Sequence, residues 1–314
     1  MPNTVRTVLP TDLVALVSYD GRVYANEAMT RDRIGTHDSP HPLETALEQW
    51  FSFATGRHTC VSVKGATLRG LVSARKRGNK QAWEIDCLIN AAEDDNAVLM
   101  SLLDQMTEAA GKSGAMKVFL RLPAGSETAI ASSRSGFAPY VREQVFLRHL
   151  GTTDTTARPK VPDLLRRRSK ADPYPVFQLY NALVPPEVRR LEGMTFGEWT
   201  AAQESLGRAT QYVLDNEAGG VRGWLRVAGD GDIGRFDIVG GHDALDDLVE
   251  AALAKVSNRE HAVTIVPEYQ VELASRLERL GFEAQEEYTV LSRRTVRTVK
   301  ARVKVPALAQ TTFG

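Results

Sequence analysis

Cysteine is nearly absent from this chain: Cys60 and Cys87 are the whole complement of 314 residues, and neither has a CxxC partner. That excludes a disulfide framework and leaves both as small core residues. Long apolar runs are missing too. None approaches 18 residues, so no transmembrane helix is expected, and the N-terminal stretch has no segment apolar enough for a signal peptide. Net charge is lacking. Lys+Arg and Asp+Glu each number 39, which gives no global field to steer the protein toward nucleic acid or a membrane. Metal and nucleotide signatures fail as well. His37 and His41 are four apart, but Pro40 forbids the helix that would place both on one ion. Gly111-Lys112-Ser113 ends like a Walker loop, yet Met106 stands where its first glycine belongs. With 43% apolar and 25% charged residues, the chain reads as a soluble, cytoplasmic globular protein.

Its length suits two domains. Residues 151–173 are rich in Thr, Pro and Arg and carry no sustained apolar period, so they read as a linker between domains at 1–150 and 174–293. A basic tail, 294–314, follows. Within the linker, residues 158–170 hold Arg158, Lys160, Arg166, Arg167, Arg168 and Lys170 against Asp163 alone. These charges could meet phosphates, but no aromatic platform accompanies them, and solvated segments explain them more simply.

The same order of elements appears on both sides of the linker. Alternating patterns predict strands over 59–63, 68–74 and 83–89 in the first half, and over 210–214, 221–227 and 233–239 in the second. Each third strand runs into an amphipathic helix. Val98, Leu99, Leu102, Leu103 and Met106 share one stripe, with Gly111 as its stop signal; Leu245, Leu248, Val249, Ala252 and Val256 repeat it. An apolar strand (116–122, 262–266), a shorter helix, a Gly-Phe pair (Gly136-Phe137, Gly281-Phe282) and a last strand (141–148, 286–293) complete each series.

This order, with Leu277-Glu278-Arg279-Leu280-Gly281-Phe282 closing the second copy, resembles the GNAT N-acetyltransferase superfamily. The resemblance spans residues 1–150 and 174–293. It implies an α/β (α+β) fold of two tandem domains, each a mixed, mainly antiparallel sheet flanked by helices. It also implies acetyl-CoA as the cofactor, with the pyrophosphate held on backbone N–H groups between the splayed central strand and the following helix.

The residues depart from the family's Gln/Arg-x-x-Gly-x-Gly/Ala loop. In the first half that place reads Asn90-Ala91-Ala92-Glu93-Asp94-Asp95-Asn96, without glycine and with acids where a dianion would sit. In the second, Val239, Gly240, Gly241 and His242 could form a small anion-binding nest, or a plain turn capped by Asp243. The family's general-acid tyrosine is replaced by Ser132 and Leu277. Glu84 and Asp86, expected to share one strand face, and Asp237, their rough counterpart, are the base candidates. Salt bridging is the competing role for all three. The chain is therefore expected to be a degenerate tandem GNAT protein that scaffolds or binds a small molecule or protein; the alternative is an acetyl-CoA-dependent N-acyltransferase working from the second domain.

Overall fold

The computed structural model describes residues 4–7, 25–35, 57–65, 67–91, 96–151, 161–217 and 219–296. Glu93, Asp94, Asp95, His37, His41 and the basic tail from residue 297 lie outside them. In the first half, β1 (Thr4–Thr7), β2 (His58–Lys64), β3 (Thr67–Lys76) and β4 (Ala82–Asn90) form an antiparallel run. Helix α1 (Asn96–Lys112), β5 (Lys117–Pro123), α2 (Glu127–Arg134) and β6 (Ala138–His149) follow.

The second half opens inside the segment read as linker. There β7 (Leu165–Arg167) pairs with the strand over Thr210–Asp215, and Arg166 binds both Asp172 and Asp215. Helices α3 (Pro173–Leu183), α4 (Pro186–Glu192) and α5 (Phe196–Ala202) come next, α5 started by a Thr195–Glu198 capping box. Strands β8 (Thr210–Asp215), β9 (Val221–Asp230) and β10 (Ile233–Gly240), helix α6 (Leu245–Val256), β11 (His261–Pro267), α7 (Val271–Arg279) and β12 (Glu283–Arg294) then repeat the earlier series. Among the described residues, no helix is long and apolar enough to cross a membrane.

The expected stripes are the buried faces. Val98, Leu99, Leu102, Leu103 and Met106 enter one core; Leu245, Leu248, Val249, Ala252 and Val256 enter another. Gly111 is not the end of α1, as its position suggested. It lies inside the helix, and Gly114, at φ +87°, makes the reversal while Ala115 N–H closes back on Ala110 O at 2.9 Å. The two Gly-Phe pairs have one geometry. Gly136 and Gly281 both sit at φ +80°, and Phe137 and Phe282 donate to the carbonyls of Ser132 and Leu277 at 3.2 and 3.0 Å.

All the strands among the described residues belong to one sheet, in the order β1-β2-β3-β4-β5-β12-β6-β11-β10-β9-β8-β7. The last strand of the second half thus lies between β5 and β6 of the first, and β6 lies against β11 of the second. The exchange is written into the cores: Leu291 of β12 packs in the first, Phe146 of β6 in the second. Hydrophobic burial therefore ties the halves together through their closing strands.

In both halves the central parallel pair is short. β4 meets β5 only from Ala82 to Glu84, and β10 meets β11 only from Ile233 to Phe236. Beyond those residues each pair diverges, leaving two gaps in the sheet.

Candidate functional site

Glu84, Asp86 and Asp237 are all buried, and each has a guanidinium within reach. Glu84 lies opposite Arg75 of β3, and Asp237 opposite Arg226 of β9. These cross-strand pairs measure 2.6 and 2.5 Å, so both halves use one device. Asp86 pairs with Arg57 at 2.8 Å. Glu84 and Asp86 do not share a regular face. Ser73 faces Cys87 while Ala74 faces Ile85, so Asp86 occupies a bulge that shifts the alternation by one residue.

Asp237 has a second partner, Arg31, at 2.8 Å. Burial by itself raises its carboxyl, but Arg31 and Arg226 more than reverse this and hold it below the usual carboxylate range. A carboxylate held there is a weak base. Arg31 also reaches Glu143 of β6 at 2.7 Å, and Glu143 accepts from Arg121 at 2.8 Å. Arg121 forks onto Glu204, in the loop after α5, at 2.9 and 2.8 Å. Burial opposes the charged form of Glu204 as well, and Arg121, Arg77 and Arg31 overcome it, holding the carboxyl well below its ordinary value.

The first gap is filled by the chain itself. Glu27 N–H donates to Leu88 O at 2.9 Å, and Met29 N–H to Arg121 O at 3.0 Å. The Asn26 side chain accepts from Leu88 N–H at 2.9 Å and donates to Asp86 O at 3.0 Å. Asn26 thus works as a surrogate peptide against β4, at the carbonyl that the bulge presents, and Ala28 enters the first core.

Among the described residues the second gap is open. Where β10 and β11 part lies a cavity of about 100 Å³, walled by Asp237, Ile238 and Val239 on one side and Ile265, Pro267 and Tyr269 on the other. Tyr180 of α3, Glu192 of α4, Trp199 of α5 and Trp224 of β9 also line it. Among the described residues Glu192 forms no ion pair; the Tyr180 hydroxyl donates to it at 2.8 Å and that of Tyr140 at 3.4 Å. Burial raises the Glu192 carboxyl above its ordinary range, and also raises the phenols of Tyr180 and Tyr269.

The loop from Val239 to His242 borders this cavity through Val239 alone. Gly241 is extended, at φ −72° and ψ 170°, which is the backbone of a turn and not of an anion nest. Gly240 serves packing, since a Cβ there would stand 2.5 Å from Leu248 Cδ1. Asp243 does not cap the turn; its carbonyl accepts from Arg222 at 2.8 Å. The other acids at the start of α6 are matched, Asp247 by Arg222 at 2.5 Å and Asp246 by Arg276 at 2.7 Å. His242 is exposed and contacts Glu272 at 2.8 Å. Ser132 and Leu277, which replace the family tyrosine, are buried in the packing.

Sequence reasoning missed Glu192, Glu143, Glu204 and Arg31. Glu192 closes a helix whose turns look solvated, and Arg31 lies in a segment without periodicity. A buried acid in the strand pattern around Glu143 was the one available signal.

No family model and no curated protein matches this sequence. Solved structures do. A GCN5-related N-acetyltransferase from Sphaerobacter thermophilus aligns with a TM-score of 0.57 at 13% identity, over 94% of this chain and 98% of its own. A tandem GNAT protein from the clavulanic acid biosynthesis pathway, solved without AcCoA, aligns with a TM-score of 0.50 at 15% identity, over 95% of this chain and 100% of its own. At such identities the likeness is one of fold. With its mainly antiparallel sheet, its splayed parallel strand pairs and its flanking helices, this chain has the GNAT N-acetyltransferase fold.

Proposed function

We propose that the chain is a tandem GNAT protein whose first copy is closed and acts as scaffold, and whose second copy alone takes a small-molecule ligand. One observation carries this reading: residues Asn26 to Met29 occupy the gap between β4 and β5, whereas the gap between β10 and β11 leads into a cavity. In GNAT enzymes the region beside the splayed central strand serves acetyl-CoA. Here the first copy's own backbone already bonds to both edges of that gap. The cavity is smaller than the roughly 150 Å³ that accepts one benzene ring, so it admits a small group and not a whole cofactor.

Glu192 favours a second, catalytic reading of the same cavity. Acyl transfer needs a group that can take a proton from the attacking acceptor, and a carboxyl raised toward neutrality suits this better than the doubly paired Asp237. Tyr269, across the cavity, could then protonate the leaving thiolate. Acetyl-CoA would lie along the open gap with its thioester at the cavity mouth.

Titration of the full chain with acetyl-CoA tests both readings. At a hundred times its dissociation constant the ligand adds about 2.7 kcal/mol of stability. Val239→Trp, which fills the open gap, should abolish that gain. Stabilisation that survives Val239→Trp would place binding elsewhere and overturn the assignment of the second copy. Stabilisation without release of free CoA on adding acceptor amines would leave a binding module.

A further inference from the structure

We propose that residues Asn26 to Arg33 form a strap across the first gap, and that Arg31 latches this strap to the second half, so that Asp237 governs whether the first gap is closed. The strap is bonded to the first half at one end, through Asn26, Glu27 and Met29. Its other end is shared between the halves: Asp32 pairs with Arg75 of β3 at 2.8 Å and Arg33 donates to the Asp86 carbonyl, while the residue after the strap reaches the second half. Ile34 packs against Val263 and Ile265 of β11, and the Ile34 carbonyl accepts from Arg235 of β10 at 2.7 Å. Arg31 lies between these ends with a nitrogen on each of three carboxylates: Asp237 at 2.8 Å, Glu143 at 2.7 Å and Glu204 at 3.4 Å.

Two of those carboxylates, Asp237 and Glu204, are second-half residues, and all three line the cavity described above. A group that enters the cavity and engages Asp237 must compete with Arg31 for it. Loss of that contact removes a short, largely desolvated ion pair from the middle of the strap. The strap's remaining bonds to β4 are the Glu27 backbone bond, the Asn26 side chain and an Arg33 donation to the Asp86 carbonyl. The cavity of one half is thereby wired to the gap of the other through a single side chain. The ligand-dependent part rests on the reading that the second cavity takes a ligand; the latch does not.

Native-state hydrogen exchange on the full chain, without any ligand, tests the latch. The reporters are the amides of Glu27 and Met29, and that of Leu88, which Asn26 covers. In Asp237→Asn, a change on β10 in the other half, these amides should exchange at least about tenfold faster, while the amides of β2, β3 and α6 keep their wild-type rates. Arg31→Lys should give a smaller increase in the same amides. It also keeps the test alive should Asp237→Asn fail to fold. Unchanged strap amides in both Asp237→Asn and Arg31→Lys would overturn the proposal. So would acceleration that rises equally across strap, strands and helices, because the strap would then be an ordinary part of the core. Since acetyl-CoA is absent, failure here and failure of the ligand reading are told apart.

Discussion

The turn between β3 and β4 approaches α5 so closely that one methyl group should disturb the docking of the halves. A Cβ built on Gly78 would stand 2.1 Å from the Thr200 carbonyl oxygen, a backbone atom that cannot rotate away. Ordinary carbon–oxygen contacts lie near 3.3 Å or beyond, so Gly78→Ala must open the turn by about 1 Å. Two hydrogen bonds span that contact: Gly78 N–H to Ala201 O at 3.1 Å and Arg77 Nη1 to Ala202 O at 3.2 Å. Overpacking costs about 1–3 kcal/mol and a lost hydrogen bond about 1 kcal/mol more, giving a loss of about 2–4 kcal/mol. In a chain of this size that is a fall of roughly 3–6 °C in the melting temperature, measurable by far-UV circular dichroism. Gly197→Ala, on the exposed side of α5 with nothing within 4 Å of its Cβ, is the control. It should stabilise by about 0.5–1 kcal/mol through helix propensity alone. If Gly78→Ala melts within 1 °C of wild type, this turn does not pin the two halves together.

Glu192→Gln should change how stability depends on pH. The folded state holds the Glu192 proton above the ordinary value of 4.5, so folding takes up a proton and wild-type stability falls as the pH rises through and above that range. The glutamine variant should lack this fall and be more stable than wild type at pH 7; an equal change in unfolding free energy between pH 4 and 7 in wild type and variant, from urea titrations, would refute the assignment. The two glycines before α6 should part company. Gly240→Ala, pressed against the buried Leu248, should lose about 1–3 kcal/mol, while Gly241→Ala, in extended backbone, should stay within about 0.5 kcal/mol. A large loss at Gly241 would show that this loop does more than turn the chain.

What the sequence determined by itself is local and periodic. Apolar spacing at 3.6 and at 2 residues marks α1, α6 and the strands, because burial of a stripe or a face is a property of a short segment. The paired Gly-Phe signals held for the same reason: a left-handed glycine followed by a core aromatic is set by neighbours in the chain. Gly111 failed because the helix ran on to the next glycine able to reverse it, a choice made by packing. The rest was decided by tertiary structure. Periodicity cannot say which strand a strand will lie beside, so the exchange of β6 and β12 left no trace in the pattern, although it joins both cores. The bulge at Asp86 likewise depends on register with β3. Charges are the extreme case. Arg31 and Asp237 are separated by most of the chain, and whether a carboxylate becomes a base or an ion-pair partner depends on which guanidinium arrives within about 3 Å. That arrival, and with it the closing of one gap and the opening of the other, exists only once the chain has folded.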